Sequence, residues 1–318
     1  MKTALAIGCG GTIGGAWAVA ALHALVEQTG WDPAGASVLQ GTSAGAELVT
    51  MLGGGASVDD LVAMHLGTST DERLRRHIAD TPASFPPIPM PALLNPRLLR
   101  TQRGLAAATG LAPIGRGDAT WLQRLADGFT GVSGWVAHPG TRMVAFDYRR
   151  AERVAFGSPE APRAETGSLL TCAETGEALR ASWAIPGWMP PVTIGDRHFV
   201  DGGAASTASV DLIARDDADL IYVIAPMASE SGHRAAGFGG VMEKRLLRRP
   251  MSEGLEREVA AVRARGTQVV VIRPDDADLA GLGAHFMRRD RRRAAFDAAL
   301  RTAPATVARA LAISEGAR

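Results

Sequence analysis

Several features that define common protein classes are scarce in this 318-residue chain. Only two cysteines are present, Cys9 and Cys172, which excludes a disulfide-stapled scaffold and a zinc site built from CxxC pairs. Aromatic residues make up 5% of the chain and the net charge is +1, so neither base stacking nor charge predicts nucleic acid as a partner. No apolar run reaches the ~18 residues of a membrane span. We expect no metal, no other cofactor and no nucleic-acid partner.

Charged residues are distributed unevenly along the chain. Residues 1–90 carry 4 basic and 8 acidic side chains, whereas residues 241–318 carry 16 basic and 10 acidic side chains. The second segment is predicted to be a C-terminal helical region, whose basic face would contact either water or anionic lipid headgroups. No linker divides the sequence. We therefore predict a single domain over 1–318 in a cytoplasmic protein, with peripheral membrane contact as an option.

The N-terminal apolar stretch contains five glycines between Gly8 and Gly15. Glycine at this density disfavours a continuous helix, and so argues against a signal peptide or a membrane anchor. We predict a strand over 4–7, a glycine turn and a helix from about 15 to 28. A strand at 37–39, the segment GTSAG and a helix over 44–52 repeat this order. Strand–turn–helix units of this kind predict an α/β fold with a parallel sheet between helices.

The remaining elements are predicted from periodicity and turn residues. Helices are expected from Ser57 onward and over 118–129, 168–181, 290–300 and 304–313, and strands over 135–137, 143–147, 153–156, 197–200, 220–225 and 268–272.

The segment 81–99 begins with a proline-rich stretch. Six prolines between Thr81 and Pro96 exclude a helix interior and a central strand. Apolar residues lie between the prolines, which fits either a flap over a pocket or a surface loop anchored to the core.

The pentapeptide Gly41-Thr42-Ser43-Ala44-Gly45 matches the GxSxG motif between a predicted strand and a predicted helix. Such a turn exposes a serine in a strained conformation, and the flanking glycines Gly41 and Gly45 remove Cβ atoms that would clash. An ordinary turn of small residues has the same composition. In the predicted context, Ser43 is a candidate nucleophile.

A nucleophilic serine needs donors for the developing oxyanion and a base. Backbone N–H groups of Gly10, Gly11 and Thr12 in the glycine turn are candidate donors. The same turn also fits a nucleotide phosphate cradle, although Gln40 stands where a dinucleotide site would have an acidic residue. For the base, the seven histidines lie in no motif. Asp201, which follows an apolar strand and precedes Gly202 and Gly203, is the better candidate.

Three blocks in this order resemble the bacterial patatin-like phospholipase family. They are the glycine-rich turn at 8–15, GTSAG at 41–45, and the segment ASWAIPGWMPP at 181–191 leading to FVDGG at 199–203. The resemblance implies a three-layer α/β/α fold with a mostly parallel sheet. It also implies a serine acyl hydrolase that cleaves lipid carboxylic esters through an acyl-enzyme on a Ser43–Asp201 dyad. An acyltransferase with the same dyad, or a noncatalytic nucleotide-binding protein, is the alternative.

The sequence departs from the family pattern at two positions of the glycine turn. Cys9 stands where the family has glycine, and Ile13 where it often has a basic residue. The missing charge leaves a neutral ester as an alternative to a phosphate headgroup. Trp183, Trp188 and Met189 are candidates for an apolar wall that contacts the acyl chain, or else for plain core packing.

Overall fold

The computed structural model describes residues 1–82, 87–102, 104–159, 169–229, 247–283 and 286–316. Within these residues the strands are β1 (Thr3–Ile7), β2 (Val38–Thr42), β3 (Met90–Leu93), β4 (Pro113–Ile114), β5 (Thr141–Asp147), β6 (Glu152–Gly157), β7 (Leu169–Leu170), β8 (Val192–Ile194), β9 (Arg197–Asp201), β10 (Leu220–Ile224) and β11 (Gln268–Ile272).

The α-helices of the same residues are α1 (Gly11–Thr29), α2 (Ala44–Gly53), α3 (Val58–Leu66), α4 (Glu72–Asp80), α5 (Leu98–Thr101), α6 (Gly104–Thr109), α7 (Thr120–Phe129), α8 (Thr175–Ser182), α9 (Arg249–Ala264), α10 (Asp276–Leu282) and α11 (Arg292–Gly316). Local signals explain several ends. Ser57 and Asp60 form a capping box at the start of α3, and Gly67 ends that helix with a φ of 72°.

A central, mostly parallel sheet organises the fold. Its main order is β11-β10-β1-β2-β5-β6-β7, and the first five of these strands are mutually parallel. Strand β6 pairs antiparallel with β5. Strand β9 also pairs antiparallel with β5, beyond the point where β2 ends, and β8 pairs with β9. The carboxyl ends of β1 and β2 therefore lie beside β9.

Helices cover both faces of this sheet, which confirms the predicted three-layer α/β/α class. Alternate residues of β1 point to opposite faces, because side chains alternate along a strand. Leu5 and Ile7 join the core formed with α1, α2, α3, α7 and α11, and Ala4 and Ala6 join a smaller core formed with α9.

Three sequence predictions of secondary structure are wrong. Helix α8 begins at Thr175 rather than 168, and Leu169–Leu170 are a short edge strand, while Ser168 lies outside the described residues. Residues 135–137 form only an isolated bridge through Val136. The two predicted C-terminal helices are one helix, α11, which continues through Pro304 because buried residues on either side of it pack against α1.

The proline-rich segment 81–99 is extended where it is described. Strand β3 forms a two-stranded ladder with β4 outside the main sheet, and all four of its residues are exposed. Phe85 and Pro86 lie outside the described residues, and the flap stays a prediction. None of the helices that the structure describes is long and apolar enough to cross a membrane.

The contact between α2 and the end of β1 depends on a glycine. A Cβ atom at Gly45 would lie 2.0 Å from the Ile7 carbonyl oxygen and 3.0 Å from that of Gly8. These are backbone atoms, which cannot swing aside as a flexible side chain can. The absence of a side chain therefore sets the depth at which α2 packs on β1.

We expect Gly45→Ala to destabilise the fold by at least about 1–3 kcal/mol through overpacking, although alanine is the better helix former. Gly35→Ala is the control, because nothing lies within 4 Å of a Cβ at Gly35, and it should change stability by less than about 0.5 kcal/mol. Urea unfolding measures both variants. Equal stabilities would contradict the close packing described for Gly45.

Candidate active site

Ser43 lies on a strained turn between β2 and α2. Its φ of 57° and ψ of −119° lie in a region that residues with a side chain occupy at a cost of about 1–3 kcal/mol. The Ser43 N–H donates to Ser182 Oγ at 2.9 Å, and the Ser182 hydroxyl donates to the Val144 carbonyl at 2.6 Å. These bonds hold the turn through the backbone of Ser43 rather than through its hydroxyl.

Strand β5 brings Ser43 and Asp201 together. Thr42 pairs with Val144 of β5, and Asp201 pairs with Ala145 of the same strand. Because the two β5 residues are consecutive, the ends of β2 and β9 meet. The Ser43 hydroxyl lies close enough to the Asp201 carboxylate to lower its pKa as a hydrogen-bond donor does. The two residues predicted as a dyad therefore lie side by side and line the same cavity.

The two glycines after Asp201 permit a close approach of backbone segments. A Cβ at Gly202 would lie 2.7 Å from the Val144 carbonyl oxygen, and a Cβ at Gly203 would lie 2.9 Å from Cys9 Sγ. The Gly203 N–H donates to Asp201 Oδ1 at 2.7 Å. The sequence Asp-Gly-Gly thus fits a turn that fixes the carboxylate while its backbone lies against β5.

Burial raises the pKa of Asp201 from 3.8 to about 7, although hydrogen bonds from Ser43 and Gly203 act in the opposite direction. The residue is only 5% exposed. Removing a carboxylate from water disfavours its charged form, and two hydrogen bonds compensate only in part. The carboxylate can therefore accept a proton near neutral pH.

The glycine turn after β1 is held by long-range backbone hydrogen bonds. The Cys9 N–H donates to the Thr207 carbonyl at 2.8 Å, and the Ile13 N–H donates to the Phe286 carbonyl at 2.9 Å. Within the described part of the chain, none of the backbone N–H groups of Gly10, Gly11 and Thr12 donates a hydrogen bond. They include first-turn donors of α1, which have no partner inside the helix.

Gly10 and Gly11 line the same cavity as Ser43 and Asp201. The cavity measures about 250 Å³, and we call it the Ser43 cavity. Thr12 instead contributes to a neighbouring cavity. The oxyanion hole stays a prediction for all three residues, and the cavity lining favours the two glycines. Apolar side chains form most of the remaining wall, among them Leu105, Ile185, Met227, Leu247, Met251 and Phe286.

Trp183, Trp188 and Met189 line the neighbouring cavity rather than the Ser43 cavity. This second cavity measures about 310 Å³ and is also lined by Trp121, so we call it the Trp cavity. Trp183 is buried and meets Trp121 edge to face, with ring centroids 5.3 Å apart. Trp188 is half-buried. The three residues do not form the wall next to Ser43 that the sequence suggested.

Cys9 does not offer a second nucleophile at the site. Burial, together with the neighbouring Asp201 carboxylate, raises the pKa of the thiol from 9.0 to about 12. Its Sγ lies 3.6 Å from Thr207 Oγ1. A protonated, buried thiol is unreactive, so Cys9 acts in the cavity as a small apolar side chain.

No group of three or more His, Cys, Asp or Glu side chains could hold a metal ion within the described ranges. The buried ring of His77 hydrogen-bonds through Nε2 to Glu47 at 3.0 Å. Both side chains, together with Arg292, surround a small cavity of about 30 Å³ beside Ala44. This cluster lies behind α2 and outside the Ser43 cavity.

Several residues of the site have no sequence signal. Ser182 fixes the Ser43 turn and lies in the block at 181–191 that carries the family resemblance, but the sequence does not indicate its contact with Ser43. Met227, Leu247, Met251 and Phe286 come from the second half of the chain, where apolar residues also fill the core. Only their approach to Ser43 in the folded chain distinguishes them from core residues.

Comparison with known proteins defines the family. The profile of the patatin-like phospholipase family matches residues 5–213, which include the glycine turn, Ser43 and Asp201. The crystal structure of VipD from Legionella pneumophila aligns with a TM-score of 0.39 and 12% identity over 96% of this chain and 67% of that one. No match was found among curated protein sequences.

The architecture is that of a three-layer α/β/α protein in which Ser43 lies on a strained strand-to-helix turn after β2. With the family match covering more than half of its length, the chain belongs to the patatin-like phospholipase family. Membership supports lipid esterase activity and lipid esters as substrates. The roles of the individual residues stay predictions.

The raised pKa of Asp201 has a consequence for stability. In the unfolded chain its carboxyl group ionises near pH 3.8, and in the folded chain near pH 7, so folding favours the protonated form. Stability contributed by this group is complete below about pH 4 and is lost as the pH rises to about 7. Asp201→Asn removes this pH-dependent loss of stability, because the asparagine side chain does not ionise. We expect this variant to exceed the wild type in stability by up to about 4 kcal/mol at pH 8, since each pKa unit corresponds to about 1.36 kcal/mol.

Urea unfolding at pH 4 and pH 8 measures this difference, which should shrink at pH 4. Asp147→Asn is the matched control. Asp147 is also fully buried, but it accepts a hydrogen bond from Arg197 at 2.8 Å, so its neutralisation should destabilise the fold. An Asp201→Asn variant less stable than the wild type at pH 8 would contradict the uncompensated burial of this carboxylate.

Proposed function

We propose that this protein is a serine acyl hydrolase that cleaves lipid carboxylic esters through a Ser43–Asp201 dyad. The observation that carries the proposal is the position of Ser43 and Asp201 side by side in one apolar cavity, at the adjoining ends of β2 and β9. Among the described residues that line this cavity, none is a histidine. Asp201 is the base within reach of the Ser43 proton.

In the proposed mechanism, Ser43 Oγ attacks the ester carbonyl carbon while its proton passes to Asp201. The N–H groups of Gly10 and Gly11 donate to the developing oxyanion, and loss of one such donor typically costs about 3 kcal/mol. When the carbon–oxygen bond to the alcohol breaks, Asp201 returns the proton to the leaving oxygen. Water then attacks the acyl-enzyme while Asp201 accepts its proton. The bond between the acyl carbon and Ser43 Oγ breaks, the carboxylic acid is released, and Asp201 returns the proton to Ser43 Oγ.

The surroundings of Asp201 support its role as a base. A carboxylate with an ordinary pKa near 4 is a weak base, whereas general bases work best with a pKa near the operating pH. Burial raises the pKa of Asp201 to about 7. The apolar wall that does this, with Met227, Leu247 and Met251, is also suited to an acyl chain.

The nucleotide-binding alternative has less support from the glycine turn. A phosphate at the start of α1 needs open space beside the backbone N–H groups. A Cβ at Gly11 would lie 2.6 Å from both the Phe286 ring and Met287 Sδ, and the Phe286 carbonyl accepts the Ile13 N–H. The side of Gly11 that a Cβ would occupy is therefore packed against the chain, and the cavity that Gly10 and Gly11 line is mostly apolar.

We expect a fluorophosphonate probe to label Ser43, because the probe reacts with serines activated by a base. Ser43→Ala should abolish labelling, and Asp201→Asn should slow it by about 10²–10⁴-fold, the usual contribution of a general base. The exposed Ser133→Ala is the control and should label as the wild type. Peptide mass spectrometry locates the adduct. Unchanged labelling in Ser43→Ala would contradict the proposal.

We also expect an acidic limb in the pH–rate profile. Only the ionised Asp201 can accept the Ser43 proton, so kcat/KM for a neutral short-chain ester should fall about tenfold per pH unit below about pH 7 and level off above it. Product analysis with added glycerol separates hydrolysis from acyl transfer in the same samples. A profile that stays flat down to pH 5 would exclude a base with this pKa.

A further inference from the structure

Exposed apolar side chains are concentrated in one segment of the chain. This segment, residues 87–102 and 104–116, contains β3, α5, α6 and β4, and we call it the cap. Of the eight large apolar side chains that are exposed in the described part of the chain, five belong to the cap, namely Ile88, Met90, Leu93, Leu99 and Leu111. Single exposed apolar residues are normal on a protein surface, whereas a local concentration of them marks a contact surface.

The charge of the cap has one sign. The whole chain has 34 basic and 33 acidic residues, yet every charged residue between Asp80 and Asp118 is an arginine. Arg97, Arg100 and Arg116 are exposed, and within the residues that the structure describes none of the three forms an ion pair. Their guanidinium groups are therefore available to a partner that carries negative charge.

The basic C-terminal region differs from the cap in this respect. Its arginines lie close to acidic residues and pair with them. The pairs include Arg249 with Glu253, Arg273 with Glu256, Arg293 with Asp297 and Arg309 with Asp275. A carboxylate beside a guanidinium group cancels much of its attraction for a distant anion. Of the two contacts expected for this region, water and anionic lipid headgroups, the pairing favours water.

The cap is fixed to the rest of the fold. Leu98 joins a buried cluster with Val200 of β9, and the Asn95 side-chain amide donates to the Tyr148 carbonyl at 2.8 Å. Its backbone is further restricted by five prolines, which are Pro87, Pro89, Pro91, Pro96 and Pro113. A surface that is held in this way loses little conformational entropy when it binds a partner.

The cap also forms part of the wall of the Ser43 cavity. Leu105, Ala108 and Thr109 of α6 line this cavity, and so does Ala112. The exposed Leu111 lies directly before Ala112 in the chain. A partner that covers the cap therefore lies next to the Ser43 cavity.

Charge distinguishes between the partners that such an apolar surface could have. In a symmetric dimer through the cap, the arginines of both copies would meet with no acidic residue of the cap between them, which is unfavourable. An anionic lipid surface offers apolar chains to the apolar residues and negative headgroups to the arginines. The long arginine stem suits the boundary between the two. The combination of apolar side chains and arginines favours lipid.

We propose that the cap is the surface through which this protein docks on an anionic lipid membrane. The exposed apolar side chains enter the headgroup boundary, and Arg97 and Arg100 contact the headgroup anions. Docking holds the Ser43 cavity against the lipid. Because docking requires no catalytic step, it is measured in the Ser43→Ala protein and is independent of the proposed reaction.

Vesicle flotation of the full-length Ser43→Ala protein tests the charged part of this surface. We expect binding to phosphatidylcholine vesicles in which about a third of the lipid is phosphatidylglycerol, and weaker binding to phosphatidylcholine alone. Arg97→Gln with Arg100→Gln should weaken binding to the mixed vesicles about 20-fold, since each basic residue near an anionic surface contributes about fivefold. Arg75→Gln with Arg257→Gln is the matched control, because both arginines are exposed outside the cap, and it should bind as the parent does.

A second pair of variants tests the apolar part. Ile88→Ser with Leu99→Ser should weaken binding to both kinds of vesicle at least about tenfold, because less apolar area enters the lipid. Val132→Ser with Ile313→Ser removes two exposed apolar side chains outside the cap and should change neither affinity. All these substitutions are at exposed positions, so each variant should unfold in urea at the parent's midpoint.

A fluorophore reports which surface meets the lipid. An environment-sensitive dye on Leu111→Cys should shift to shorter wavelength when the mixed vesicles are added, and the same dye on Val132→Cys should not. Both proteins carry Cys172→Ser, because Cys172 is exposed and would react with the dye, whereas Cys9 is buried.

Several results would overturn the docking proposal. These are a failure to bind the mixed vesicles, equal binding by the cap variants and their controls, and a dye shift at position 132 instead of 111. Loss of self-association without loss of vesicle binding in the cap variants would identify a second copy as the partner and would also overturn it. Fluorophosphonate labelling of Ser43 does not depend on any of these results, so either proposal can fail while the other stands.

Discussion

The site depends on one close backbone contact, that of Gly45 with the end of β1. The Gly45 Cα rests against the Ile7 carbonyl, at a depth where a Cβ would lie 2.0 Å from that oxygen. This contact sets the start of α2 beside the glycine turn that opens α1. The candidate nucleophile and the candidate oxyanion donors come from these two turns, so their spacing is set by atoms that cannot relax independently.

Burial of Asp201 links the apolar wall to the chemistry. The same side chains that would hold an acyl chain exclude water from the carboxylate and raise its pKa to about 7. The fold bears an energetic cost for an ionised group without a cationic partner, which is a common trade between stability and activity. Cys9 belongs to the same environment, and its thiol stays protonated for the same reason.

Sequence reasoning succeeded where a local pattern dictates local geometry. GTSAG predicted the turn at Ser43, and the three-block resemblance pointed to Asp201, which β5 then places beside Ser43. It failed where distant packing decides the outcome. Phe286 reaches the site only through long-range contacts, and Trp183 faces the second cavity because of how α7 and α8 pack. Pro304 stays helical because α11 packs along α1. The local rule that proline ends a helix does not account for such packing.

The hydrogen bond between the Ile13 N–H and the Phe286 carbonyl also bears on how this chain folds during synthesis. The glycine turn near the N-terminus is fastened by Thr207 and by Phe286, and the first of these pairs is separated by 198 residues. Contacts of such sequence separation form late, because the entropy of closing long loops must be overcome first. A nascent chain on the ribosome therefore carries Ser43 on a turn whose cavity is still open to water. The Ser43 cavity is complete only after Phe286, which lines it, has emerged.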